Sequence, residues 1–365
     1  MSVAYTNGKI FTGEKIEDNK AVLTDNEVIV GVVNANAIPS QYRTEDLKGF
    51  ILAPVFIDMQ IYGGNGKLFS QDLTVESLKA TYEYCLMGGC AHFMITMATN
   101  TIEKFLQGFE VVRAYWEQGG KGLLGLHLEG PYINPVKRGA HLEACVKRPT
   151  IQEVSMLLEK GKDVFKMMTL APEQCDEAVI KLLQQHNIIL SVGHSNATYK
   201  QALDAFNKGI PAATHLFNAM SPLQHREPGV VGAIMNHATA MSSIVCDGVH
   251  VDYAAVHIAK KVLQQRLFFI TDAVAETTSG EYQHLFCGDR YALPDGTLSG
   301  SSLTMLQCVK NAVNHVGISL EESLRMASAY PAQLMAGTML GKIEPGYRAD
   351  FVVFDDALEL QRVYC

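Results

Sequence analysis

Leu123-Leu-Gly-Leu-His-Leu-Glu-Gly-Pro131 is the stretch on which the architecture turns. The run 123–128 is continuously apolar rather than alternating, and Gly-Pro punctuation follows it. That pattern fits a strand buried on both faces, as in a parallel sheet covered by helices. The strand's end carries His127 and Glu129, two chemically capable groups where an α/β protein places its chemistry.

Seven further runs of the same kind lie on either side, at 55–61, 91–97, 165–170, 188–192, 212–215, 242–246 and 267–271. Between them the apolar period lengthens to that of amphipathic helices, as at 75–87, 102–116, 151–159, 198–207 and 253–264. Thr150-Ile-Gln-Glu153 and Ser319-Leu-Glu-Glu322 read as capping boxes, with the hydroxyl taking a free amide and the Glu reaching back. Eight buried strands alternating with helices predict an α/β protein built as a (β/α)8 barrel, with an open doubly wound sheet as the competing topology. Outside this region, residues 3–51 hold short β-prone runs broken by Asn-Gly and Asp-Asn turns. The stretch 347–355 has the same character and is expected to pair with them.

Composition narrows the function classes. The 365 residues are 48% hydrophobic and 19% charged, with 30 Lys+Arg against 38 Asp+Glu, a formal net charge of −8. A reader of nucleic-acid backbone needs a basic face, so this balance argues against one, while leaving room for a small cationic pocket. No apolar run approaches a membrane span and no leader-like segment opens the chain, which makes a cytoplasmic protein the expectation. The eight cysteines are scattered without a C-x-x-C, against both a disulfide framework and a thiolate metal cluster.

The strand ends read, in order, Asp58-x-Gln60-x-Tyr62, His127-x-Glu129, Gly193-His194, Thr214-His215-x-x-Asn218, Asp247-Gly-x-His250 and Thr271-Asp272. One histidine after one strand is more often a core residue than a ligand. Several converging on one barrel mouth reverse that expectation. Glu129, His194 and His215 form a three-ligand set for a divalent metal with an open position. For His127, on the face of Glu129 by period two, ligation and a buried supporting role both stand. Asp272 is placed to exchange a proton, with a turn-capping role as the plainer alternative. Arg226 and His250 are candidates for an anionic substrate. His141 and His225 stay ambiguous on chemistry alone.

The segments His127-Leu-Glu-Gly-Pro-Tyr132, Gly139-Ala-His141, Ser191-Val-Gly-His-Ser-Asn-Ala-Thr198, Ala213-Thr-His-Leu-Phe-Asn-Ala-Met220, Arg226-Glu-Pro-Gly229, Asp247-Gly-Val-His250, Thr271-Asp-Ala273 and Gly296-Thr-Leu-Ser-Gly-Ser-Ser-Leu-Thr-Met305 run in family order over nearly the whole chain. As a set they closely resemble the N-acetylglucosamine-6-phosphate deacetylase family of the amidohydrolase superfamily. The resemblance implies a (β/α)8 TIM barrel over 53–340 and a small β-sandwich domain formed from both chain ends, 1–52 and 341–365. It also implies a homodimer in which a residue reaches the neighbouring active site. It assigns Glu129, His194 and His215 as metal ligands, Asp272 as acid and base, and His141 as the group that polarises the amide carbonyl. Gln60, Ala140, His141, Asn218, Ala219, Arg226, Asp247, His250, Leu298, Ser299 and Gly300 fall at substrate-binding positions, with Arg226 and His250 as the phosphate pair. Many superfamily members carry His-x-His where this chain has Gln60 and Tyr62, so the resemblance implies one divalent metal per subunit. Zn suits the ligands, as do Fe, Co or Mn. The implied reaction is hydrolysis of N-acetylglucosamine 6-phosphate to glucosamine 6-phosphate and acetate. The alternatives are the galactosamine epimer, another amidohydrolase on the same barrel, and a non-catalytic sugar-phosphate sensor, which would be expected to lack a ligand or Asp272. The family usually continues into one more strand after the run 351–354, so a truncated chain and a shorter sandwich edge are both open.

Overall fold

A computed structural model describes residues 2–335 and 337–365. All eight apolar runs are strands, in chain order, of one parallel sheet: β1 (Phe56–Ile61), β2 (Cys90–Ala98), β3 (Leu123–Glu129), β4 (Phe165–Leu170), β5 (Ile189–Val192), β6 (Ala212–Ala213), β7 (Met241–Ile244) and β8 (Leu267–Phe269). Each strand pairs with the next. The first and last ends then meet, the Tyr62 amide donating to the Ala273 carbonyl (2.9 Å) and the Asp272 amide to the Gln60 carbonyl (3.0 Å). The sheet is therefore a closed (β/α)8 barrel and not the open alternative, and closure brings all eight strand ends to one mouth. Three short strands, β9 (Leu285–Phe286), β10 (Arg290–Ala292) and β11 (Leu298–Ser301), form an antiparallel sheet that the run of β8 did not announce.

The barrel interior contains a polar layer. His127 is fully buried; its Nε2 faces the Thr169 hydroxyl (2.8 Å), which meets Thr214 (2.7 Å), which meets Ser191 (2.6 Å). The imidazole Nδ1 lies 3.2 Å from the Met59 carbonyl, so it carries the proton and Nε2 accepts from Thr169. Burial holds the His127 pKa down at about 4, consistent with this neutral form. Both nitrogens are thus engaged, and of the two readings of His127 the supporting one matches the structure.

Near the chain ends, two sheets enclose a separate core. One orders Val28–Asn34, Lys20–Asp25, Ser2–Thr6 and Arg43–Asp46; the other orders Leu360–Tyr364, Phe351–Phe354, Ile51–Pro54, Lys9–Phe11 and Ile16–Glu17. The expected pairing of the two chain ends is made by Phe351–Phe354 running antiparallel to Ile51–Pro54. Tyr5, Val22, Leu52, Phe351 and Val353 fill the space between the sheets. Contacts group the chain into two compact units, 1–58 with 85–92 and 304–365, and 59–84 with 93–303. No helix among the described residues is long and apolar enough to cross a membrane.

Helix starts follow local chemistry, but neither expected capping box closes. Ser319 accepts the Glu322 amide, while the Glu322 carboxylate accepts from Arg325 (2.7 Å) and Tyr330 (3.0 Å). Thr150 accepts the Glu153 amide as a cap should, but the Glu153 carboxylate does not reach back: it accepts from Tyr132 (2.7 Å) and Lys147 (2.6 Å). A charged partner offers the carboxylate a stronger bond than the cap amide. The reciprocal box forms instead at Thr198 and Gln201, opening the helix Tyr199–Asn207.

Candidate active site

Three of the expected site residues share a backbone feature that residue type does not reveal. His194, His215 and Asp272 lie at φ 47°, 38° and 54°, in the left-handed region. A non-glycine residue there costs on the order of 1–3 kcal/mol. Each sits two or three residues past the end of its strand, where the left-handed turn swings the side chain into the barrel mouth.

Glu129, at the end of β3, is the hub. Its Oε1 lies 3.0 Å from His215 Nε2, 3.3 Å from His194 Nε2 and 3.0 Å from Gln60 Nε2. Its Oε2 accepts a short hydrogen bond from the Tyr62 hydroxyl and lies 3.1 Å from His141 Nε2. The two imidazole nitrogens of His194 and His215 are only 3.1 Å apart.

The far side of each ring decides what these nitrogens can do. His194 Nδ1 lies 2.8 Å from the Lys137 carbonyl and His215 Nδ1 lies 3.1 Å from the Asn218 carbonyl. Carbonyls only accept, so each Nδ1 carries a proton, and in the neutral ring each Nε2 presents a bare lone pair. In that form two lone pairs and a carboxylate oxygen converge at about 3 Å, an arrangement that a proton or a metal cation among them relieves. The nearby imidazoles hold the Glu129 carboxyl well below the usual range despite its burial, and Glu129 in turn raises His215 despite its burial. The donor set of one carboxylate and two neutral imidazoles fits a divalent ion.

His141 reads differently. Donor atoms of Glu129, His141 and His194 all lie within 4.8 Å of one another, so distance alone makes His141 a candidate ligand. Its Nδ1, however, takes the Thr99 backbone amide (3.2 Å) and meets the Thr99 hydroxyl at 2.7 Å. An amide can only donate, so Nδ1 accepts and Nε2 bears the hydrogen. Burial beside His194 lowers the His141 pKa to about 4, so the ring is neutral. His141 is thereby a hydrogen-bond donor, its Nε2–H facing Glu129 Oε2 (3.1 Å) at the edge of the pocket.

Asp272 is tied through Oδ1 to Gln60 Nε2 (2.9 Å). Burial pushes its carboxyl up against the opposing pull of His215, with Glu129 adding to the rise. A buried, raised carboxyl is suited to holding and returning a proton. Farther out, His250 Nδ1 lies 2.5 Å from Asp247 Oδ2, and Asp247 Oδ1 accepts the Val249 and His250 amides. Asp247 orients His250 from behind.

These groups border one pocket. Ala140, His141, Asn218, Ala219, His250, Leu298, Ser299 and Gly300 line it, beside Glu129, His194, His215 and Asp272. Gln60 is buried beneath the pocket, and Asp247 stands behind His250. Arg226 is exposed on its loop, as is His225, and neither lines this pocket. Tyr62, Leu68, Ala98, Val274 and Tyr282 supply an apolar wall, and His284 lines the pocket as well. Sequence reasoning missed Tyr282 and His284. The available signal was the Tyr282-x-His284 alternation, a period-two pattern putting both rings on one face.

Comparison with known proteins places this geometry. The amidohydrolase family model matches residues 51–364, and the NagA composite domain matches 3–52. The N-acetylglucosamine-6-phosphate deacetylase of Haemophilus influenzae is 36% identical over 97% of this chain and 95% of its own. An N-acetylgalactosamine-6-phosphate deacetylase of Escherichia coli O157:H7 is 30% identical over 92% of this chain and 91% of its own. Among solved structures, the N-acetylglucosamine-6-phosphate deacetylase of Pasteurella multocida aligns with TM-score 0.95 at 33% identity, covering 100% of this chain and 98% of its own. That from Mycobacterium smegmatis, a point mutant in complex with N-acetyl-D-glucosamine-6-phosphate, aligns with TM-score 0.92 at 28% identity over 100% of this chain and 97% of its own.

Proposed function

Because this chain belongs to the amidohydrolase family, we propose that it hydrolyses the acetamide of N-acetylglucosamine 6-phosphate, giving glucosamine 6-phosphate and acetate. The observation that carries the reading is what backs the three histidines: main-chain carbonyls behind His194 and His215 leave their neutral rings with lone pairs toward Glu129, and a main-chain amide behind His141 leaves it with an N–H. That difference separates metal ligands from the group that binds the acetyl oxygen. We assign Glu129, His194 and His215 to one divalent ion per subunit, Zn fitting the donors. When bound, such an ion supplies Lewis-acid polarisation and lowers the pKa of water.

The chain's own residues perform the rest. His141 Nε2–H donates to the carbonyl oxygen as negative charge grows there. Asp272 accepts the proton of the attacking water and returns it to the departing nitrogen, because an amine leaves poorly unless protonated. Gln60 fixes the Asp272 carboxylate through Oδ1, leaving the other oxygen for that transfer. His250, held by Asp247, takes the phosphate. Arg226 is its proposed partner in trans: it is exposed and absent from its own pocket, which supports a homodimer in which each subunit lends Arg226 to the other. The eight cysteines, none of them in a disulfide among the described residues, support a cytoplasmic setting.

The test is acetate release from N-acetylglucosamine 6-phosphate by the metal-loaded and the chelated protein, run beside the galactosamine epimer. Metal-dependent release with preference for the glucosamine compound is expected. Release from neither, with metal bound, overturns the reading.

A further inference from the structure

Among the histidines and carboxylates that line the pocket, only His284 has no part in the scheme above. It is 4% exposed, lines the pocket and stands on the segment leading into β9. The backbone around it is pinned: Thr277 and His284 exchange both amide–carbonyl bonds (3.0 and 2.9 Å), and the Thr277 hydroxyl accepts the His284 amide (3.1 Å) while donating to the Tyr282 carbonyl (2.8 Å). The Tyr282 ring lies parallel to the imidazole, 4° between planes and 6.2 Å between centroids, and the Tyr282 hydroxyl donates to the Thr99 carbonyl at 2.6 Å. The imidazole is therefore presented in one orientation.

Its two nitrogens are not equivalent. Nδ1 lies 2.9 Å from the Ser299 hydroxyl. Nε2 has no partner among the described residues, yet it is not among the sealed, unsatisfied buried atoms, so it opens on the pocket. Burial lowers the His284 pKa to about 4, so the ring is uncharged near neutrality and is a poor group for neutralising a phosphate. A neutral imidazole nitrogen suits a hydroxyl. The Ser299 hydroxyl can rotate to donate to Nδ1, making Nε2 a donor, or to accept from it, making Nε2 an acceptor. A sugar hydroxyl answers either form.

We propose that His284, backed by Ser299, is a binding residue for one uncharged ring hydroxyl of the sugar and so helps set which amino-sugar phosphate the pocket accepts. The proposal rests on the functional reading given above. A substrate lacking the hydroxyl leaves a nearly buried nitrogen unpaired, which is the situation in which sites discriminate strongly.

The experiment compares wild type, H284F and H284Q on N-acetylglucosamine 6-phosphate and on its 1-, 3- and 4-deoxy analogues, with metal content measured for each protein. H284F keeps a planar ring without the hydrogen bond, and H284Q keeps a polar group. The expected result is a roughly 10- to 100-fold lower kcat/KM for H284F on the parent compound, partial recovery in H284Q, unchanged metal content, and a wild-type-to-H284F ratio near one for a single deoxy analogue. Equal ratios across the parent and all three analogues overturn the role of His284 while leaving the reaction standing. No turnover by metal-loaded wild type overturns both. Should H284F fail to fold, the H284Q ratios across the same analogues decide by the same criterion.

Discussion

Tyr62 and Gln60 hold opposite oxygens of one buried carboxylate: the phenol donates to Glu129 Oε2 and the amide to Oε1. Burial between Glu129 and Asp272 keeps the phenol protonated, its pKa pushed well up. With Oε2 occupied, Glu129 has one oxygen to offer a cation, and neither Gln60 nor Tyr62 replaces an imidazole as ligand. Metal analysis of the loaded protein should thus find one tightly held ion per chain, and two would contradict the assignment. Tyr62→Phe should weaken metal retention by roughly 10- to 100-fold in a chelator competition, the usual effect of removing a partner that orients a ligand. Asp272→Asn should retain the ion and lose turnover by roughly 10²- to 10⁴-fold. Near-wild-type rates in that variant would remove Asp272 from the proton transfer. Histidine roles were only partly legible at this scale. The placement of His194 and His215 at the barrel mouth followed from their strand ends, whereas the donor character of His141 depends on the Thr99 amide, a main-chain group that residue type does not reveal.

The eight barrel strands were readable because a strand covered on both sides is continuously apolar, whatever the fold around it. Their ends were less so: runs 212–215 and 267–271 continue past the strand ends at Ala213 and Phe269, toward the left-handed residues His215 and Asp272. The β9–β11 sheet left little trace, since its strands are two to four residues long and their exposure alternates irregularly. A buried polar cluster at the start of β2 gives a test of stability rather than catalysis. Asp350 accepts from His92 (2.9 Å) and Arg348 (2.8 Å), and these partners hold its carboxyl below the ordinary value despite burial. A depressed carboxyl stabilises the fold above its unfolded value of about 4, and that contribution disappears as pH falls through the folded value. Asp350→Asn should therefore cost on the order of 2 kcal/mol at pH 7, with the penalty shrinking below about pH 4. Urea midpoints at the two pH values measure it, and a pH-independent penalty contradicts the account.

At the scale of the molecule, the proposed sharing of Arg226 predicts complementation. Mixed 1:1, inactive Arg226→Ala and Asp272→Asn subunits form hybrids with one intact site each, so about a quarter of wild-type activity should return if subunits exchange freely. No recovery in verified hybrids places Arg226 in its own subunit's chemistry or in none. The net charge of −8 fits this picture, because one phosphate needs a local cationic pair and not a basic surface. By itself the amino-acid sequence determined the eight buried strands and their order, the pairing of the chain ends and the strand-end identities of Glu129, His194, His215 and Asp272. Those follow from periodicity and order along the chain, and both are local. Only the tertiary structure decided which imidazole nitrogens carry protons, that Gln60 and Asp247 work from behind the pocket wall, and that Tyr282 and His284 complete that wall. These facts depend on carbonyls, amides and hydroxyls from distant segments, brought within about 3 Å only once the barrel closes.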